Sequence, residues 1–230
     1  MRTSVRWTVA SVGLAALMSA AAPYSASASV GHLTDKGTLT CDGLKATIVG
    51  TSNAEFIVGT PGNDVIVAFG GNDTVHGLSG SDTICAGDGN DWVYGDKPSP
   101  AEWDGSNTIF GGAGHDTVFG GESNDSVDGG PGNDIVRGAG GSDALMGGIG
   151  NDHLVNGVGF DWADGGDGND VLDAVAGGGA DYVDLVYGSS GDDIIYADDG
   201  WANDQGRGGS GWDRCASDYP EAVLDCEDFA

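Results

Sequence analysis

GGAGHDTVF (111–119), GGESNDSVD (120–128), GGPGNDIVR (129–137), GAGGSDALM (138–146), GGIGNDHLV (147–155), NGVGFDWAD (156–164) and GGDGNDVLD (165–173) follow one another without a gap. Each nine-residue unit carries glycine at most of positions 1, 2 and 4, aspartate at 6 and an apolar residue at 8. Position 6 is filled by Asp116, Asp125, Asp134, Asp143, Asp152, Asp161 and Asp170. Position 8 is filled by Val118, Val127, Val136, Leu145, Leu154, Ala163 and Leu172.

The spacing has a physical reading. A six-residue turn that reverses the chain needs positive φ at some positions, which glycine reaches without steric cost. The remaining three residues form a short strand whose middle side chain points to one face. Two units then close one coil of about eighteen residues, and stacked coils pair their strands in parallel about 4.8 Å apart. Position 8 points inward, and position 6 sits in the turn at the edge. The fold expected is all-β, a parallel β-roll, that is, a β-solenoid of Gly/Asp-rich repeats.

Aspartates eighteen residues apart stack on one edge, and a column of carboxylates repels itself unless cations lie between its members. Calcium fits, because it accepts six to eight oxygens, carboxylates and backbone carbonyls included, at about 2.3–2.6 Å. Zinc prefers nitrogen and sulfur ligands, which these turns lack. The short aspartate arm is used throughout: the chain has 31 Asp against 5 Glu.

The pattern extends outward on both sides. Toward the N-terminus, units at 59–67, 68–76, 77–85 and 86–94 carry Asp64, Asp73, Asp82 and Asp91, with Ile66, Val75, Ile84 and Val93 inward. Glu55 and Asn107 replace the aspartate in the units at 50–58 and 102–110. Beyond Asp173 the phase slips by two residues at Ala174-Val175 and by three at 185–187. Asp181, Asp193, Asp204 and Asp213 recur there on irregular spacing.

These units, from about residue 50 to 216, resemble the RTX (hemolysin-type) calcium-binding nonapeptide repeat. The resemblance implies a β-roll that folds when calcium is bound. Many RTX members are C-terminal tails of exported toxins, proteases and lipases that leave the cell by type I secretion. This chain departs from them, with an amino-terminal signal sequence and no catalytic domain. It is more similar to the small, stand-alone, cysteine-capped RTX proteins of actinobacteria.

The rest of the chain frames the repeats. Residues 1–28 read as a secretory signal peptide, with Arg2 and Arg6 before an apolar run from Val9 to Ala22 and Ala26-Ser27-Ala28 at the cleavage site. No second apolar run follows, so no membrane span is expected. Residues 29–49, with Leu33, Leu39, Ile48 and a turn at Cys41-Asp42-Gly43, read as an N-terminal cap over the first open coil. Residues 50–216 form the roll, with a looped-out insertion around 95–107 that contains Lys97-Pro98-Ser99-Pro100 and Trp103. Residues 217–230 form a C-terminal cap.

Four cysteines in a secreted chain suggest two disulfides, with three possible connectivities. Spacing favours Cys215–Cys226, which leaves Cys41–Cys85. No two share a C-x-x-C spacing, which argues against metal binding by them.

Charge and missing motifs exclude several functions. The net charge of −28 argues against nucleic acid and anionic membranes as partners. His32, His76, His115 and His153 are scattered, and no H-E-x-x-H, G-x-S-x-G or phosphate-loop motif occurs. The Gly206-x-Gly208-x-x-Gly211 match to a dinucleotide fingerprint follows no strand and opens no helix. The chain therefore reads as a secreted, non-enzymatic calcium-binding protein.

Its expected ligands are Asp64, Asp73, Asp82, Asp91, Asp116, Asp125, Asp134, Asp143, Asp152, Asp161 and Asp170. The expected pairs are 64/82, 73/91, 116/134, 125/143, 134/152, 143/161 and 152/170. At millimolar calcium each site contributes on the order of 1 kcal/mol, comparable in sum to a domain's stability of roughly 5–15 kcal/mol. The alternative is a calcium-dependent cell-surface adhesion or matrix protein. Its support would be the insertion, and Trp92 and Trp162 at the outward position 7, with a glycan or cell-surface partner.

Overall fold

Alternation of glycine turn and three-residue strand sends successive units to opposite sides of a coil. The computed structural model describes residues 32–33, 38–96, 105–174, 184–197, 204–217 and 223–226. The expected signal peptide, the core of the insertion and Asp181 lie outside the described residues. All regular structure among the described residues is β, and no helix there is long and apolar enough to cross a membrane.

The strands form two parallel sheets, one of ten strands and one of nine. The first takes every other unit: Ile48–Val49, Val65–Val67, Thr83–Asp88, Thr108–Ala113, Ser126–Pro131, Ala144–Ile149, Trp162–Asp167, Leu185–Ser190, Gln205–Ser210 and Val223–Leu224. The second takes the units between, from Phe56–Val58 through Thr117–Gly121 and Ile135–Gly140 to Arg214–Ser217. Thr117 pairs with Ile135 and His153 with Val171, one coil of eighteen residues apart. The architecture is the expected parallel β-roll.

Position 8 fills the space between the sheets. Val118, Val127, Val136, Leu145, Leu154 and Leu172 are fully buried in one continuous core. Burial of each such side chain is worth about 1.5–3 kcal/mol. The turns need the glycines for a concrete reason. Gly112 has φ 108°, and a Cβ there would collide with the Gly87 carbonyl of the preceding coil. Ala139 holds the equivalent position at φ 84°, a left-handed conformation that costs a non-glycine residue energy.

Register is kept across the surplus residues. Ile109 pairs with Ile84 and Val118 with Val93, so the extra length in the chain lies between Asp96 and Gly105. The C-terminal phase differs from the sequence expectation. Residues 185–187 are not a slip but the start of a strand, Leu185–Ser190, which pairs with Trp162–Asp167 and buries Val186 completely. Asp184, not Asp181, therefore takes position 6. The reason is that extra residues inside a paired strand would break a ladder and unseat the core residue.

At the N-terminal end, His32–Leu33, Leu39–Cys41 and Leu44–Lys45 form a small antiparallel sheet. Asp42 (φ 49°) and Gly43 (φ 76°) make its tight turn. Buried Cys41 is bonded to Cys85, and Cys215 to Cys226. By loop closure over 44 and 11 residues, these bridges are worth about 4 and about 3 kcal/mol.

Candidate metal centre

Strand pairing begins at position 7, so the backbone N–H at position 6 has no strand partner. The aspartate one coil further on supplies it. Asp116 N–H donates to Asp134 Oδ1 at 2.8 Å, Asp134 N–H to Asp152 Oδ1 at 2.7 Å, and Asp152 N–H to Asp170 Oδ1 at 2.8 Å. The Asp116 carbonyl in turn accepts from Ile135 N–H at 2.9 Å. Each aspartate thus clamps its coil to the next.

The rungs form two columns. Along the turns that lead into the first sheet, Asp64, Asp82, Asn107, Asp125, Asp143, Asp161, Asp184 and Asp204 are linked in order. Along those that lead into the second, Glu55, Asp73, Asp91, Asp116, Asp134, Asp152, Asp170, Asp193 and Asp213 are linked. Every expected pair is adjacent in its column. The ladder also continues through Asp184, Asp193, Asp204 and Asp213, where the sequence suggested irregularity. All these aspartates are buried, because the coils above and below close over the turn.

Only one oxygen of each is used by the ladder. Oδ2 of Asp73, Asp82, Asp91, Asp116, Asp125, Asp134, Asp143, Asp152, Asp161, Asp170 and Asp193 is buried with no hydrogen-bond partner. Such a row of orphaned carboxylate oxygens is costly, since buried polar atoms are nearly always satisfied. Of the expected ligands, only Asp64 has both oxygens engaged, by Thr47 Oγ1 and by the Thr60 N–H and hydroxyl.

The orphaned oxygen faces glycine and carbonyl. A Cβ at Gly111 would lie 2.6 Å from the Gly129 carbonyl oxygen and 2.8 Å from Asp116 Oδ2. At Gly129 the same two distances, to Gly147 O and Asp134 Oδ2, are 2.7 and 2.8 Å, and at Gly147, to Gly165 O and Asp152 Oδ2, 2.5 and 2.6 Å. A side chain at these three glycines would crowd the cradle, although Ala68 and Ala86 place a methyl at position 1 in the units of Asp73 and Asp91. Among the described residues no three His, Cys, Asp or Glu side chains converge on one point. Further donors to a cation must then come from backbone carbonyls. An all-oxygen set of carboxylates and carbonyls suits calcium.

Electrostatics point the same way. Burial pushes the carboxyl of Asp134 up to about 8, against the ladder N–H from Asp116 that lowers it, with the charges of Asp116, Asp152 and Asp128 adding to the rise. Burial likewise takes Asp125 to about 8 and Asp116, Asp143, Asp170 and Asp184 to about 7. Asp82, Asp91, Asp152 and Asp193 rise to about 6, and Asp73 and Asp161 rise from the same cause. Without a counter-charge burial shifts all of these groups toward the protonated form, and Asp125 and Asp134 favour it at neutral pH. A bound cation would reverse that preference.

Two features were not read from the sequence. Position 5 builds an outer ladder of opposite direction: Asn90 N–H donates to Asn72 Oδ1, Asn151 N–H to Asn133 Oδ1 and Asn169 N–H to Asn151 Oδ1, at 2.8–3.0 Å. Its signal was the recurrence of asparagine before the aspartate. The second is a row of rings on the outer face of the second sheet. His76 and Tyr94 lie 4.7 Å apart, Tyr94 and Phe119 stack at 4.9 Å, and Arg137 caps Phe119. Trp92 is exposed as expected, whereas Trp162 is half-buried and lies near Tyr187.

No curated protein matches the chain. The family model for the RTX calcium-binding nonapeptide repeat matches residues 49–84, 70–97, 104–136, 119–154, 147–184 and 178–213. These matches overlap into two blocks, residues 49–97 and 104–213. With the aspartate columns and glycine cradles in the matched residues, the chain belongs to the RTX calcium-binding nonapeptide repeat family.

Proposed function

We propose that this is a secreted, non-enzymatic protein whose roll folds when calcium ions enter the two aspartate columns. The observation that carries the reading is the buried row of Oδ2 atoms without partners, which at Gly111, Gly129 and Gly147 share a cradle with a glycine carbonyl. The residues that would hold the ions are Asp73, Asp82, Asp91, Asp116, Asp125, Asp134, Asp143, Asp152, Asp161 and Asp170, with backbone carbonyls of the position-1 residues. Asp64, already engaged on both oxygens, would serve as the end of its column. Bound calcium would supply the positive charge that buried carboxylates lack. Aspartate clamps, glycine cradles and inward apolar residues would position it.

Both disulfides support an oxidising, extracellular setting. The test is far-UV circular dichroism at pH 7.5. The β-signal is expected in millimolar calcium and lost in EDTA; a signal that survives chelation contradicts the reading.

A second role is favoured by one observation, the ring row of His76, Tyr94 and Phe119 beside exposed Trp92 and Phe56. The roll would then act as a rigid platform that adheres to a cell surface or glycan. Calcium-dependent retention on cell walls that is lost in Y94A/F119A, with calcium binding intact, would establish it. Equal retention of the variant would remove it.

A further inference from the structure

The two columns are not equivalent. In the second-sheet column Asp73, Asp91, Asp116, Asp134, Asp152, Asp170 and Asp193 present orphaned Oδ2 atoms on consecutive rungs. In the first-sheet column, donors from the chain itself intervene. Asn107 stands where an aspartate is expected, fully within the column and 2 % exposed. Its Oδ1 performs the ladder role, accepting from Asp82 N–H at 2.9 Å. Its Nδ2 sits where neighbouring rungs carry Oδ2, and donates to Asp96 Oδ1 at 3.1 Å and to the Gly120 carbonyl at 3.4 Å. Beside Gly95 that nitrogen lies 2.7 Å from the place a Cβ would take, as Asp125 Oδ2 does at 2.5 Å beside Gly120.

The second case uses another position. Asn156 occupies position 1, where Gly111, Gly129, Gly147 and Gly165 leave the cradle open. Its side chain is completely buried, and Nδ2 donates to Asp184 Oδ2 at 3.4 Å. Asp184 consequently lacks the orphaned oxygen of its neighbours. Asn156 achieves this while its own Oδ1 stays buried without a partner. The amide is therefore turned so that its donor end, not its acceptor end, meets the carboxylate.

We infer that Asn107 and Asn156 are amide plugs, neutral donors that take the place of a cation at two rungs, so that these rungs close without calcium. A carboxamide NH2 offers two hydrogen-bond donors to the carboxylate and carbonyl oxygens that would otherwise ligate an ion. It cannot do so and leave room for the ion. The first-sheet column would then load calcium only at rungs that carry no plug, whereas the second-sheet column contains no such plug among the described residues. The inference rests on the calcium reading of the columns.

Native mass spectrometry of the whole protein, desalted from saturating calcium, counts the ions. N107D restores a carboxylate and N156G reopens a cradle, and each is expected to raise the count by one, the double variant by two. Counts equal to wild type, in variants that keep wild-type circular dichroism in calcium, overturn the inference. D143N runs the test in reverse, because it installs a plug in an open rung. It is expected to fold in calcium and carry one ion fewer; an unchanged count, or failure to fold at any calcium concentration, also overturns it. Wild-type protein that loads ions while the variants gain none defeats the plugs alone, whereas wild type that loads none defeats the calcium reading itself.

Discussion

At the scale of single residues, each column aspartate has two separable tasks. One oxygen holds the N–H of the preceding coil, and the other faces the cradle. Asp134 illustrates the consequence. D134N keeps an acceptor for Asp116 N–H and loses only the charge, whereas D134A also strands that buried donor. D134A is expected to be less stable than D134N by about 1–3 kcal/mol in calcium, measured by urea unfolding. Equal stabilities would mean that the ladder bond contributes nothing. Titration provides a second prediction. Asp116, Asp125, Asp134 and Asp143, raised by burial from the ordinary 3.8 to about 7–8, bind protons more tightly in the metal-free roll than in the unfolded chain. Their contribution to the metal-free roll is full below about 4 and disappears as pH rises through 7–8. In EDTA, β-signal is therefore expected to grow on acidification from pH 8 to pH 5. A chelated protein equally unfolded at both would contradict the burial of these carboxyls.

At the scale of strands and turns, the roll is held by core, cradle and cross-link. L154A removes a fully buried side chain from the single-file core and is expected to cost about 2–5 kcal/mol, with a higher calcium midpoint for folding. G129V places a branched side chain, larger than the methyls of Ala68 and Ala86 at this position, beside the Gly147 carbonyl and Asp134 Oδ2, and is expected to cost one bound ion while the inward residues stay packed. An ion count equal to wild type would show that position 1 is glycine for backbone reasons alone. This scale also shows how far the sequence could be read. Inward residues and aspartate positions were legible wherever nine-residue phase held, because both follow from strand alternation and turn length. Around residue 180 the slipping phase pointed to Asp181 and missed Asp184 with Val186. The decision came from pairing with Trp162–Asp167, a contact far away in the chain. Asn107 was visible as an exception and Asn156 as a lapsed glycine, but their shared role depends on which oxygens the fold brings to their amides.

At the scale of the whole molecule, a chain of net charge −28 encloses its acids instead of exposing them all. Burial converts mutual repulsion into a demand for counter-charge, repeated coil after coil, so the roll and its ions are expected to form together. The Cys41–Cys85 bridge ties the N-terminal hairpin to the early coils and lowers the entropy of the unfolded chain without supplying that charge. The most direct test is an anomalous difference map from crystals grown in calcium. The account predicts peaks in two rows along the turns, each beside an Oδ2 such as that of Asp116 or Asp134. It predicts gaps at Asn107 and at Asn156. A well-ordered roll with no peaks in these columns, or with ions confined to its outer surface, would contradict it.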